Sequence, residues 1–138
     1  MQLYVLDASA LLTSVLNPKS AASKLIPDLL NQASKGKCEV YTTPLFIYEF
    51  SNGLRFSLSD SSLSAEVYEK FLHLPIKVFQ LPDNRFNEVL NLSYQYKTTV
   101  YDTSYYMAAI LLNATLLTCD KKFFDQVGDK DTIKLLTI

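Results

Sequence analysis

The chain has 138 residues, of which 49% are hydrophobic, so it is long enough for one globular domain with a single core. Thirteen basic and fourteen acidic residues give a formal net charge of -1, which excludes a strong overall positive field for attracting nucleic acid or an anionic membrane. The two cysteines, Cys38 and Cys119, fit no zinc-binding or disulfide-framework spacing, so we interpret both as reduced thiols.

Short apolar strands alternate with longer amphipathic helices along the sequence. Residues 2–6 are rich in Val, Leu and Tyr, as in a buried strand, whereas the apolar positions of residues 19–35 repeat with a helical period. In chain order we predict strands over residues 2–6, 39–42, 76–80, 115–119 and 133–136. We predict helices from Asp7 onward, over 19–35, from Thr43-Pro44 onward, and over 61–72, 83–97, 101–113 and 121–126. The Thr43 hydroxyl before Pro44 is the predicted cap of the helix that opens there.

The longest apolar run in the helical middle, YYMAAILL, is too short to span a bilayer. The beginning of the sequence also lacks the basic region of a signal peptide. With the reduced cysteines, these features lead us to expect a cytoplasmic protein with one domain over residues 1–138.

Alternating strands and helices predict an α/β fold in which right-handed crossovers build a mostly parallel sheet, covered by helices on both faces. Ligands of such sheets bind at the carboxyl ends of the strands, beside the point where the strand order reverses. Asp7 follows the first predicted strand and Asp120 follows the fourth. We therefore expect these two carboxylates to lie at a ligand site.

Four acidic residues stand out, and for three of them helix capping is an alternative role. Asp7 and Asp120 precede helices and Asp102 lies at the start of one. Glu49 differs because it lies inside an apolar helix, where an unpaired buried carboxylate costs several kcal/mol unless a cation meets it. Gly53, one turn further on, costs about 1 kcal/mol relative to alanine. This cost indicates that another group approaches closely there.

Four carboxylates that met in one cleft without a neighbouring basic residue would repel one another and raise their pKa values. Hard divalent cations relieve this repulsion, and oxygen ligands favour Mg²⁺ or Mn²⁺, which complete their shells with water and phosphate oxygens. Ser9, two residues after Asp7, and Thr118, two residues before Asp120, are placed to orient ligands or waters behind the acids, and local hydrogen bonding in a turn is an equal alternative for each. The pattern predicts metal-assisted phosphodiester hydrolysis.

The segments VLDASALL, YEFSNGL, YDTSYYMAAILL and TLLTCDKKFF, in this order and spacing, resemble those of PIN-domain proteins, most of all the VapC-type toxins of VapBC toxin–antitoxin systems. The resemblance covers essentially the whole chain. It implies a three-layer fold with a central five-stranded parallel sheet. It also implies Mg²⁺- or Mn²⁺-dependent endoribonuclease activity, frequent homodimers and inhibition by a small VapB-like antitoxin.

By the same resemblance, the catalytic and metal-binding residues are Asp7, Glu49, Asp102 and Asp120, with Ser9 and Thr118 as polar accessories. Tyr105, Lys121 and Lys122 are candidate contacts to the RNA substrate. The helix that carries Arg55 and Phe56, with the following SLSDSS segment, is a candidate groove for a partner protein.

Two other interpretations remain open for a PIN fold: a nuclease of RNA maturation, and a module that binds RNA or protein without cutting. Receiver domains and haloacid-dehalogenase-like phosphatases fit less well. The former need paired acids after the first strand, where Ala8 follows a lone Asp7, and the latter need a second aspartate where Ser9 stands.

Overall fold

The computed structural model describes residues 1–136, so the last two positions of the domain predicted over residues 1–138 lie outside the described range. The described strands are β1 (Gln2–Leu6), β2 (Cys38–Thr42), β3 (Ile76–Val78), β4 (Thr115–Thr118) and β5 (Ile133–Leu135). The described helices are α1 (Ala8–Leu16), α2 (Ala21–Ser34), α3 (Phe46–Ser57), α4 (Ser61–Phe71), α5 (Phe86–Tyr96), α6 (Val100–Leu112) and α7 (Lys121–Val127), and a 3₁₀ turn spans Asp83–Arg85. The predicted α/β class and five-stranded parallel sheet are confirmed.

Strand β1 lies at the centre of the sheet, whose order is β3-β2-β1-β4-β5 with every pairing parallel. Val5 pairs with Tyr41 on one side and with Leu116 on the other. The chain builds outward from β1 to β3 and then returns to the other side of β1 at β4. The strand order therefore reverses between β1 and β4, where the carboxyl ends of these strands open a ligand site.

With this strand order, the right-handed crossover rule assigns α1 to α4 to one face of the sheet and α5 to α7 to the other. On the first face, Phe46 and Phe50 of α3 stack with ring centroids 5.7 Å apart, and both rings contact Phe71 of α4. Phe46 and Phe50 are at most 1% exposed, and burying one such ring contributes roughly 1.5–3 kcal/mol. This aromatic packing holds α3, and with it Glu49, against α4 in the hydrophobic core. Of the helices in residues 1–136, none is long and apolar enough to cross a membrane.

The predicted capping of α3 by the Thr43 hydroxyl is wrong. The helix begins at Phe46, after a turn through Pro44 and Leu45, and no side chain caps it. Instead, the Phe46 N–H donates to the main-chain oxygen of Thr43. Main-chain bonding in this turn takes the place of the side-chain cap, and the Thr43 hydroxyl is left buried without a hydrogen-bond partner among the described residues.

Candidate active site

All four predicted acids line one cleft of about 300 Å³. Asp7 lies between β1 and α1, Glu49 on α3, Asp102 on the first turn of α6, and Asp120 between β4 and α7. The cleft therefore lies at the carboxyl edge of the sheet, at the reversal of strand order. Its lining consists of Asp7, Ala8, Ser9, Leu12, Glu49, Asn52, Gly53, Asp102, Tyr105 and Asp120.

Asp7 is buried at 7% exposure, and hydrogen bonds reach both of its carboxylate oxygens. Oδ1 accepts from the Ser9 hydroxyl at 2.6 Å and from the Ala10 N–H at 3.0 Å, and Oδ2 accepts from the Thr118 hydroxyl. The bond from Ala10 caps α1, so Asp7 both caps this helix and lines the cleft. Burial raises the pKa of Asp7 to about 6, although these hydrogen bonds act to lower it.

Ser9 and Thr118 connect the ends of the two central strands. The Ser9 hydroxyl accepts from the Cys119 N–H at 2.9 Å, and the Thr118 hydroxyl accepts from the Asp120 N–H at 3.0 Å. Because both hydroxyls also donate to Asp7, they join Asp7 to the segment that carries Asp120. Each carboxylate oxygen has about two lone pairs. Oδ1 uses both, whereas Oδ2 keeps one for a further ligand.

Glu49 is held by a tyrosine from the opposite wall of the cleft. The Tyr105 hydroxyl donates to Glu49 Oε1 at 2.6 Å. Tyr105 itself is only 1% exposed, and its pKa is raised by burial and by the bond to Glu49. The ring is therefore closed to base stacking, and only the hydroxyl reaches the cleft. Contact between Tyr105 and the RNA substrate stays a prediction, and it concerns the hydroxyl alone.

Asp102 differs from Asp7 and Asp120 because it does not cap its helix. Thr99 caps α6, accepting the Asp102 N–H at 3.0 Å, whereas Asp120 caps α7 by accepting the Phe123 N–H at 3.1 Å. The pKa of Asp102 is raised by burial and by the negative charges of Asp120 and Glu49. These three carboxylates therefore interact electrostatically across the cleft.

The donor atoms of the cleft fit a hydrated hard cation. The acidic oxygens are its charged groups, and neither lysine nor arginine is among the described residues that line it. However, within residues 1–136 no three His, Cys, Asp or Glu side chains come close enough together to hold a metal ion by themselves. Mg²⁺ is commonly bound by one or two carboxylates with several retained waters and substrate phosphates, rather than by an all-protein cage. The arrangement suits this mode of binding.

Gly53 allows α1 and α3 to approach each other beside the cleft. A Cβ atom at this position would lie 2.3 Å from Cδ1 of Leu12, so the close approach predicted from the sequence is confirmed. Asn52 also lines the cleft but is not among the residues predicted from the sequence. Its position three residues after Glu49 puts it on the same side of α3, and this spacing was the available signal.

The predicted lysine contacts lie outside the cleft lining. Lys121 is exposed and forms an ion pair with Asp125, one turn along α7, and Lys122 is also exposed. As contacts to RNA, both lysines remain predictions. The predicted partner groove corresponds to a cavity of about 450 Å³ between α3 and α4, which Arg55 lines. Phe56 is 75% exposed but is not part of that lining.

The sequence and the fold are both similar to those of known proteins. The family model of the PIN domain matches residues 4–130, whereas no curated protein is a significant match in sequence. The solved structure of PAE2754 from Pyrobaculum aerophilum has a TM-score of 0.67 and 25% identity, over 96% of this chain and 83% of that chain.

Two further solved structures share the fold at lower identity. FitAcB from Neisseria gonorrhoeae has a TM-score of 0.64 and 14% identity, over 91% of this chain and 93% of that chain. VapBC2 from Rickettsia felis, bound to a DNA fragment from its promoter, has a TM-score of 0.67 and 15% identity, over 98% and 99% of the two chains. Since the family model covers most of the sequence and the folds agree, this chain belongs to the PIN-domain family.

Proposed function

We propose that this chain is a divalent-metal-dependent endoribonuclease and the toxin of a type II toxin–antitoxin pair. The observation that carries the proposal is the meeting of four carboxylates in one cleft whose described lining contains no basic side chain. Such an arrangement accumulates negative charge that a structural role does not require. It suits the binding of Mg²⁺ or Mn²⁺ together with an RNA phosphate.

Asp7 Oδ2 is the acidic oxygen best prepared to bind a metal ion. The hydrogen bonds from Ser9 and Thr118 fix its carboxylate and leave one lone pair of Oδ2 available. Glu49, Asp102 and Asp120 would complete the site, directly or through retained waters. The bound ion would supply the activation of a water molecule and the neutralisation of charge on the scissile phosphate.

The protein's own groups orient what enters the cleft. Tyr105 holds Glu49 through Oε1, so Oε2 can accept a hydrogen bond from a water molecule and direct it. Ser9 and Thr118 keep Asp7 in place while metal and substrate exchange. Because the acidic groups are already held in place, less free energy is needed to position them in the transition state.

The toxin assignment rests on the resemblance of the motifs to VapC-type toxins and on the folds shared with VapBC2 and FitAcB. We therefore expect a small VapB-like antitoxin as partner, a homodimeric assembly and a cytoplasmic site of action. The cavity between α3 and α4 is a candidate place for the antitoxin.

Cleavage of a panel of labelled RNAs, in Mg²⁺, in Mn²⁺ and in EDTA, tests the enzymatic part of the proposal. We expect cleavage only with metal, and we expect Glu49→Gln to abolish it. Glu66→Gln is the matched control, because Glu66 is an exposed glutamate on α4, outside the cleft lining. Undiminished cleavage by the Glu49→Gln variant in either metal would refute the site assignment.

Induced expression in a bacterial host tests the toxin part. The parent chain should arrest growth, whereas the Asp7→Asn variant should not. Cleavage of RNA without growth arrest would instead favour a nuclease of RNA maturation. Binding of RNA without cleavage would favour a binding module.

A further inference from the structure

Asn52 contributes a neutral amide to the lining of the acidic cleft. It lies on α3, three residues after Glu49, so the two side chains are neighbours on the helix surface, with Cβ atoms about 5–6 Å apart. The Asn52 side chain is exposed. Hydrogen bonds to the acids of the cleft come from Ser9, Thr118 and Tyr105, and the Asn52 amide takes part in none of them. Its polar atoms are therefore available to a ligand of the cleft.

The hydrogen-bond donors of the cleft are fewer than its acceptors. The acidic side chains only accept when they are ionised. The hydroxyls of Ser9 and Tyr105 each have one proton, which they donate to Asp7 and Glu49 respectively. The other lining residues are apolar. Among the side chains of the described lining, Asn52 is thus the one with uncommitted donors, since its amide group carries two N–H bonds.

A phosphodiester needs the donors that this cleft lacks. Its non-bridging oxygens accept hydrogen bonds and share a negative charge, so the acids repel them directly. Asn52 is the side chain of the described lining that attracts these oxygens without a bound cation. A hydrogen bond to a charged oxygen is roughly twice as strong as one between neutral groups. An amide in this position would therefore make a marked contribution to substrate binding.

We propose that the Asn52 side-chain amide donates a hydrogen bond to a non-bridging oxygen of the scissile phosphate. This inference rests on the proposed ribonuclease function and adds a substrate-binding residue to it. An asparagine in such a cleft has a second possible role, because its carbonyl oxygen is a ligand for hard cations. The surplus of acidic oxygens and the shortage of donors favour the N–H side of the amide.

Two substitutions of similar size separate these roles in single-turnover cleavage of RNA in Mg²⁺. Asn52→Leu removes both the donors and the carbonyl oxygen, whereas Asn52→Asp removes the donors and keeps an oxygen that can bind metal. We expect both variants to cleave about 10- to 100-fold more slowly than the parent. Cleavage by the Asn52→Asp variant at the parent rate would assign the carbonyl oxygen to the metal and overturn the proposal. A parent rate for Asn52→Leu would also overturn it.

Asn91 is the matched control for both substitutions. It is an exposed asparagine in the interior of α5 and lies outside the cleft lining. Asn91→Leu and Asn91→Asp should cleave at the parent rate. An equal loss of rate at both positions would show a general effect of changing a surface amide and would contradict a specific contact at Asn52.

Binding of RNA without cleavage gives an independent measurement. Fluorescence anisotropy of a labelled single-stranded RNA of mixed sequence, in Mg²⁺, reports the affinity of the Glu49→Gln variant. Adding Asn52→Leu to this variant should weaken the affinity at least about fivefold, because one hydrogen bond to a charged oxygen is lost. Adding Asn91→Leu should not change it. Equal affinities with and without the Asn52 amide would overturn the proposal.

Sulfur substitution at the scissile phosphate tests whether the amide contacts this group. Sulfur is a weak hydrogen-bond acceptor, so replacing the oxygen that accepts from Asn52 should slow the parent. The two phosphorothioate diastereomers should therefore differ in cleavage rate, and their ratio should change in the Asn52→Leu variant. A role in helix structure alone would slow both diastereomers equally. The same ratio in both proteins would refute the contact.

Failure of this inference and failure of the ribonuclease function give different results. If the parent cleaves RNA and the Asn52 variants behave like it, the phosphate contact alone is wrong. If the parent cleaves no RNA but the affinity for RNA depends on Asn52, the nuclease assignment alone is wrong. Absence of both cleavage and RNA binding would refute both.

Discussion

The hydroxyl of Tyr105 donates a hydrogen bond to Glu49 Oε1 at 2.6 Å, although the two residues lie 56 positions apart in the sequence. The bond joins α3 and α6, which belong to opposite faces of the sheet, and both residues line the acidic cleft. It restricts the Glu49 carboxylate before any ligand arrives. Tyr105 is therefore a positioning residue for Glu49.

Tyr105→Phe should lower kcat for RNA cleavage with a smaller effect on KM, because the ring remains packed while Glu49 loses its partner. Tyr106→Phe is the matched control, because the hydroxyl of the buried Tyr106 donates to Asp129 at 2.6 Å and neither residue lines the cleft. Both variants should lose about 1–3 kcal/mol of stability in urea unfolding. A similar loss of kcat in both variants would show a general effect of destabilisation.

The stability of the metal-free protein should depend on pH through Asp7. Its pKa is raised from 3.8 to about 6 in the folded state, so the native chain retains a proton that the unfolded chain releases. The stabilisation from this group is fully present below about pH 4 and is lost as the pH rises through about 6. The loss amounts to up to about 3 kcal/mol.

Asp7→Asn should remove this dependence and should make the metal-free protein more stable than the parent above pH 6. Urea unfolding of both proteins in EDTA, across pH 4 to 8, measures how the free energy of unfolding depends on pH. The difference between the two profiles isolates Asp7 from groups with shifts of the opposite sign, such as Asp129, whose pKa is lowered by hydrogen bonds from Tyr106 and Thr132. Parallel profiles for the two proteins would refute the assignment.

Mg²⁺ or Mn²⁺ should raise the melting temperature at pH 7.5, because a ligand that binds only the native state stabilises it. The shift should shrink at pH 5, since protons then compete for Asp7 and Asp102, whose pKa values are raised. Asp102→Asn should reduce the shift. Sodium chloride at equal ionic strength controls for screening. A shift of the same size in sodium chloride would show that no specific site exists.

Gly53→Ala should disturb the cleft through Leu12. The new methyl group would lie 2.3 Å from Leu12 Cδ1, so the leucine must move within the lining it shares with the acids. Overpacking of this kind costs about 1–3 kcal/mol, against roughly 1 kcal/mol gained in helix propensity. We expect slower cleavage and a small change in stability.

The double variant Gly53→Ala with Leu12→Ala tests this explanation. Removing the leucine side chain should relieve the clash, so the two changes should show a favourable coupling free energy in a double-mutant cycle of urea unfolding. Strict additivity would mean that Leu12 does not transmit the effect.

Local sequence patterns predicted most of the secondary structure because those patterns act within a few residues. The strand Gln2–Leu6 has its predicted bounds. The helix predicted over residues 83–97 begins with a 3₁₀ turn, Asp83–Arg85, and ends at Tyr96, one residue early. Thr43 marks where this reasoning failed. A hydroxyl before Pro44 is a common capping signal, but a turn of two residues intervenes, and the Phe46 N–H donates to the main-chain oxygen of Thr43 instead.

The sequence by itself determined the alternation of strands and helices, the identity of the four acids and the placement of Asp7 and Asp120 after two strands. Apolar periodicity and chain order express these features directly. Only the tertiary structure decided that Tyr105 meets Glu49, that Ser9 and Thr118 both donate to Asp7, and that Gly53 admits Leu12. These contacts depend on the strand order and on helix packing across the sheet, and the period of a single strand or helix contains no information about either.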